Sequence, residues 1–264
     1  MIFFKQSVKI DKKIRIVIST ITMLLIVLIS TFFFFDQAII FIPIFIFSSY
    51  FFTYFSLLED IKKIEWLMLF MMPVIFTISW YLFYFLFPVR WLTRLPFIIL
   101  YIVSFYALLR TSNIFNVGVE KSLQLYRAAF SINYLYQTII VFFLSSFIFS
   151  LKYSPFVNGF LIFFVCFPLA VNIFWSVKLN LSLDRLSLMY SMLIGLVLIE
   201  ETVCLSFFSF EPTILALIIT ATYYSLSGLT YAYIDERFFK ETIREYLWVL
   251  GIVFFICFLT LIRW

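Results

Sequence analysis

The stretch that decides the fold reads LSLMYSMLIGLVLIEETVCLSFFSF and covers Leu186–Phe210. It is apolar over more than the roughly 20 residues that a helix needs to cross the hydrocarbon core of a bilayer. Two adjacent carboxylic acids, Glu200 and Glu201, nevertheless lie well inside it. They are the only charged residues that the sequence places deep in an apolar run, so the rest of the chain reads as a scaffold around this stretch.

The composition is that of a membrane protein. Hydrophobic residues make up 65% of the 264 residues and charged residues only 12%, whereas about 25% of an average soluble domain is charged. A soluble fold of this length could not bury so much apolar surface. The net charge of +5 comes from Lys and Arg in short gaps between apolar runs, which is typical of membrane topology. We therefore expect the lipid bilayer as a partner, and no nucleic acid.

The apolar runs predict an all-α integral membrane protein, a bundle of about nine transmembrane helices within one transmembrane domain, residues 1–264. The least apolar segment, residues 111–127, has apolar residues at helical spacing. It predicts an amphipathic segment at the membrane interface that leads into the fifth span; a helix that docks a partner is the alternative. The predicted spans lie near residues 16–35, 38–58, 66–86, 95–109, 128–151, 156–177, 186–210, 212–234 and 246–262.

The distribution of positive charge predicts the orientation of these spans. With nine spans, 15 of the 19 Lys and Arg residues fall on the side of the N-terminus. The run at 95–109 is short, but its omission would divide the positive charges almost evenly between the two sides. Because Lys and Arg accumulate in cytoplasmic loops, we expect nine spans, a cytoplasmic N-terminus and a C-terminus outside.

The sequence contains no catalytic constellation. It has no histidine, which excludes Ser-His-Asp triads, histidine zinc ligands and histidine proton relays. It also lacks a phosphate-binding glycine loop and a cluster of residues with metal-ligand spacing. We therefore expect no enzymatic activity, no cofactor and no metal site.

The acidic pair Glu200 and Glu201 is the candidate site for coupling to protons or another cation. A carboxylate at mid-bilayer costs roughly 2.5–3.5 kcal/mol even on lenient insertion scales, and no Lys or Arg lies at a matching depth. The carboxyl groups must be neutral, hydrogen-bonded or hydrated. Asn172 in the sixth span and Gln137 in the fifth are the candidate polar partners. The alternative is a seventh span that ends near Ile199 and leaves the pair at a thinned interface.

Small residues predict where the last helices pack. Ser191 and Gly195 share one face of the seventh span, and Ser225 and Gly228 share one face of the eighth. Small residues allow membrane helices to approach closely. Because a short turn joins the two spans, we expect the two faces to meet.

Two functions remain open from the sequence, and a lipid-modifying enzyme comes third because no catalytic cluster lies in a loop. The first is a small proton- or cation-coupled transporter or permease, and the second is a non-enzymatic scaffold or subunit of a membrane complex. We expect a multi-pass protein of the cell membrane, of the bacterial inner-membrane type. A protein partner and a homo-oligomer are both open from the sequence. The sequence also does not identify a transported substrate.

Overall fold

Nine α-helices make up almost all of the chain that the structure, a computed structural model, describes: residues 11–33, 38–57, 66–87, 91–117, 123–178, 184–208 and 210–262. That part of the chain contains no β-strand. The helices are α1 Lys12–Ser30, α2 Ala38–Leu57, α3 Trp66–Tyr84, α4 Trp91–Val117, α5 Leu123–Ser150, α6 Pro155–Lys178, α7 Arg185–Leu205, α8 Pro212–Ile234 and α9 Lys240–Ile262.

Each of these nine helices, counted over the described residues, is long and apolar enough to cross a membrane. The shortest have 19 residues, or about 28 Å at 1.5 Å per residue. A helix satisfies all of its central backbone hydrogen bonds internally, which is why long apolar runs adopt this structure. The prediction of an all-helical fold with nine long apolar helices is confirmed.

The fourth helix differs from its predicted span. α4 runs without a break from Trp91 to Val117, so the first part of the segment expected at the interface belongs to this helix. Thr111, Ser112 and Asn116 are buried. The expectation of an amphipathic lead-in to the fifth span is therefore wrong for residues 111–117, while residues 118–122 lie outside the described part of the chain.

α4 begins before its predicted span and includes Arg94, whose guanidinium is hydrogen-bonded. The Arg94 guanidinium donates through Nε to Tyr84 Oη at 2.9 Å and through Nη2 to the Thr31 carbonyl at 3.2 Å. It also lies over the ring of Phe32 at 4.9 Å. These contacts stabilise the charge where the ends of α1 and α3 meet the start of α4, so the helix includes it.

Where the sequence predicted one domain, the chain divides into two compact units, Met1–Asn133 and Tyr134–Trp264. In the first unit, α1 packs on α2 and α4, and α3 packs on the same two helices. In the second unit, α6 packs on α7 and α8, and α8 also packs on α7 and α9. The acidic pair and both of its predicted polar partners belong to the second unit.

The small residues of α7 and α8 lie on packing faces, but the glycines face different helices. A Cβ on Gly195 would lie 2.6 Å from Cδ2 of Phe163 in α6. A Cβ on Gly228 would overlap the ring of Tyr246 in α9 and lie 2.6 Å from Tyr134 Oη in α5. We expected the two small faces to meet each other; instead, each glycine accommodates an aromatic side chain of a third helix.

The two serines of these faces are buried as well. Ser191 Oγ donates to the Ser187 carbonyl within α7 at 2.8 Å, a bond that satisfies the hydroxyl without any other helix. Ser225 Oγ donates to the Tyr246 carbonyl of α9 at 3.2 Å. The small face of α8 is thus bonded to α9 as well as packed against it.

Candidate functional site

The two carboxylic acids of α7 lie in different surroundings. α7 continues through both residues and ends at Leu205, so the pair belongs to its last two turns. Successive residues of a helix diverge by about 100°, and here this rotation decides their exposure. Glu200 is exposed on the outer surface of the unit, whereas Glu201 is half-buried between α7 and its neighbours.

Glu201 is tied to the next helix by a hydrogen bond. Thr222 Oγ1 of α8 donates to Glu201 Oε1 at 2.7 Å. The threonine is itself buried, with 8% of its surface exposed. The length of the bond is typical of a hydroxyl that donates to a carboxyl oxygen.

The position of Thr222 shows how far the carboxyl group lies from the ends of the helices. Thr222 follows Pro212, the first residue of α8, by about 15 Å along the helix axis. The Glu201 backbone is only about 6 Å from the end of α7, but helical side chains lean toward the N-terminus of their helix. The carboxyl group of Glu201 therefore meets α8 near its middle.

The second carboxyl oxygen of Glu201 has no such bond. Glu201 Oε2 is buried and has no hydrogen-bond partner among the described residues. A buried charged oxygen without a partner is costly, and a neutral acid or a bound cation removes most of that cost. The carboxyl group therefore has one oxygen fixed by Thr222 and one that is open to a proton or another cation.

The two predicted polar partners, Gln137 and Asn172, bind each other. Gln137 Nε2 donates to Asn172 Oδ1 at 2.9 Å, and Tyr223 Oη donates to Gln137 Oε1 at 2.9 Å. At most 2% of the surface of any of the three side chains is exposed. This buried amide network links α5, α6 and α8, while the hydrogen bond to Glu201 comes from Thr222.

A buried thiol interacts with both groups of polar side chains. Cys166 of α6 is fully buried and is within electrostatic range of both Glu201 and Tyr223. Thr222 and Tyr223 are neighbours on α8, so the carboxyl group and the amide network are attached to one turn of the same helix. We call Gln137, Cys166, Asn172, Glu201, Thr222 and Tyr223 the polar cluster.

Thr222 and Tyr223 are functional candidates that the sequence reasoning missed. Both lie in an apolar helix, where a threonine commonly donates to its own backbone and a tyrosine adds apolar contact. The only indication in the sequence was the run Thr220–Ser227, in which hydroxyl-bearing residues are frequent. A single sequence does not reveal which of those hydroxyl groups faces a carboxyl group on another helix.

The chemistry available to the polar cluster is ion binding and hydrogen bonding. The described residues contain no group of three His, Cys, Asp or Glu side chains that could hold a metal ion. A carboxyl group with one oxygen bonded to a hydroxyl and the other open can take up and release a proton, or bind a cation through the open oxygen.

The chain belongs to the family DUF5656, a protein family of unknown function, whose model matches residues 14–260. The match includes the whole polar cluster and nearly all of the nine helices. Nothing among curated proteins or among solved structures matches the chain.

Proposed function

We propose that this member of the family is a multi-pass protein of the cell membrane that couples transport to the movement of protons or another cation. Nine long apolar helices support insertion into a bilayer. The excess of Lys and Arg on one side favours a cytoplasmic N-terminus and a C-terminus outside. We propose a non-enzymatic role.

The observation that carries the proposal is the state of the Glu201 carboxyl group. One oxygen accepts the Thr222 hydrogen bond and the other is buried without a partner. Ionisable residues inside membrane segments are costly, and they mark ion pathways and proton relays in pumps and transporters. A merely structural carboxyl group would be expected to have both oxygens bonded.

We assign the coupling role to Glu201 and not to Glu200. Glu200 is exposed on the surface of its unit, so the neighbouring helices do not enclose its carboxyl group. It therefore serves as a matched control, since it has the same chemistry one residue away on the same helix.

A scaffold or subunit role is the second candidate, and the exposure of α9 favours it. Only 6% of the apolar stretch of α9 is buried, against 28% or more for the other helices of the described chain. Trp248, Phe255 and Phe258 are about three-fifths exposed. Lipid or a partner helix would cover this surface in a membrane.

The experiment that separates the two candidates compares Glu201→Gln with Glu200→Gln in cells that lack the native protein. Growth rates are measured at acidic, neutral and alkaline pH and at high Na⁺, with protein levels matched by immunoblot. We expect Glu201→Gln to behave as the deletion and Glu200→Gln as the wild type. If both variants and the double variant grow as the wild type under conditions in which the deletion does not, coupling is excluded and the scaffold is favoured.

A further inference from the structure

We propose that the ion bound at this site is a proton, carried on Oε2 of Glu201, and that Thr222 is the positioning residue that holds the carboxyl group. This inference rests on the proposed function only where it links the bound proton to transport. Whether a proton occupies the site does not depend on transport, and it can be measured without a transport assay.

The first argument comes from how the oxygen atoms of the polar cluster are used. Gln137 Oε1 accepts from Tyr223 and Asn172 Oδ1 accepts from Gln137, so both amide oxygens point into their own network. The hydrogen of the Thr222 hydroxyl points at Glu201 Oε1. A hard cation such as Ca²⁺ takes about six to eight oxygen ligands, whereas a proton needs the one open oxygen that the structure provides.

The second argument comes from the charges that surround Glu201. In α8, residues 212–234 include no Asp, Glu, Lys or Arg, and in α6 the only charged residue is the terminal Lys178. The titratable group of these helices that interacts with Glu201 is the thiol of Cys166, and that thiol interacts in turn with the hydroxyl of Tyr223. On α7 itself the nearest charge is Glu200, which repels a second negative charge. These surroundings offer no positive partner to an ionised Glu201, and a proton removes the need for one.

The third argument is that the Thr222 hydrogen bond is compatible with both states of the acid. A protonated carboxyl group donates through one oxygen and keeps the other as an acceptor. Oε1 can therefore accept from Thr222 whether or not Oε2 carries a proton. The bond fixes the geometry of the site while its charge changes, which is the role of a positioning residue.

The test uses dicyclohexylcarbodiimide, an apolar reagent that adds to protonated carboxyl groups and leaves a stable N-acylurea. The full-length purified protein in lipid nanodiscs is treated at a series of pH values, and mass spectrometry of peptides locates and quantifies the adduct. Parallel samples contain NaCl, KCl or CaCl₂, with choline chloride at the same ionic strength as the reference. Glu201→Gln shows which part of the signal comes from residue 201.

We expect labelling at Glu201 that decreases about tenfold per pH unit once the acid ionises and that Na⁺, K⁺ and Ca²⁺ leave unchanged. Protection by any of these cations at constant pH would assign the site to that cation and overturn the proposal. Labelling that does not depend on pH, or that occurs at Glu200 but never at Glu201, would overturn it as well.

The role of Thr222 is tested by the pair Thr222→Val and Thr222→Ser. Valine keeps the shape and removes the hydroxyl, whereas serine keeps the hydroxyl. We expect the pH at which Glu201 labelling is half-maximal to change in Thr222→Val and to stay near wild type in Thr222→Ser. If the profiles of both variants match the wild type, Thr222 does not position the acid. If the valine variant elutes as aggregate, the serine variant and the unmodified protein still decide whether Glu201 holds a proton.

The labelling and growth experiments fail independently. Labelling that titrates as expected, together with normal growth of Glu201→Gln, would leave a proton site without coupling and would refute the proposed function alone. Protection by Na⁺, together with a growth defect, would refute the proton and leave cation coupling in place.

Discussion

Replacement of Gly228 by alanine tests the packing of α8 against α5 and α9. The added Cβ would overlap ring atoms Cε1 and Cζ of Tyr246 and lie 2.6 Å from Tyr134 Oη. Carbon atoms in contact are about 3.5–4.0 Å apart, so both tyrosines, or α8 itself, must move by roughly 1 Å. Tyr134 Oη donates to the Tyr224 carbonyl, and the ring of Tyr246 packs on Tyr224 at 5.3 Å.

The magnitude follows from these contacts. Overpacking a well-filled site costs about 1–3 kcal/mol, and loss of the Tyr134 hydrogen bond adds about 0.5–1.5 kcal/mol. We therefore expect Gly228→Ala to lower the free energy of unfolding by about 1.5–4.5 kcal/mol, the sum of these two ranges. Alanine is the better helix former by up to about 1 kcal/mol, which offsets part of this loss.

Gly251 of α9 provides the matched control because a Cβ at that position meets nothing within 4 Å. The assay is thermal unfolding of the purified variants in one detergent, followed by intrinsic fluorescence and size-exclusion chromatography. We expect Gly228→Ala to melt several degrees below wild type and Gly251→Ala at or above it. Equal melting temperatures for the two variants would refute the reasoning, since helix propensity favours alanine equally at both positions.

Two further predictions concern topology and the amide network. A reporter inserted after Lys121 should be cytoplasmic and one after Trp264 should be outside, as measured with a pair of compartment-specific enzymes; a cytoplasmic C-terminus would contradict nine spans. Gln137→Leu should lower the melting temperature more than Tyr223→Phe does, because leucine removes two buried hydrogen bonds and phenylalanine only one, at about 0.5–1.5 kcal/mol each. A Gln137→Leu variant as stable as Tyr223→Phe would contradict the network.

The helices could be predicted from the sequence because their cause is local. A run of about 20 apolar residues is expected to form a helix in lipid wherever it occurs, and nine such runs became helices. The ends of the helices were less predictable where contacts with other helices determine them. α4 includes Arg94 because Tyr84 and Thr31, distant in sequence, provide its hydrogen-bond acceptors.

The site could be predicted only in part for the same reason. The sequence identified the acidic pair, because ionisable residues are rare inside apolar membrane segments. It could not distinguish Glu200 from Glu201, since that distinction depends on which side of α7 is covered by other helices. It also paired the carboxyl groups with Gln137 and Asn172, whereas these amides are bonded to each other and to Tyr223.

The polar cluster places α8 between the acid and the amides. Thr222 and Tyr223 are successive residues that point about 100° apart, one to Glu201 on α7 and the other to Gln137 on α5. Because both hydroxyls belong to one helical turn, a shift of α8 along α7 would strain both bonds together. If Glu201 couples ion binding to a structural change, α8 is the helix whose movement would transmit it.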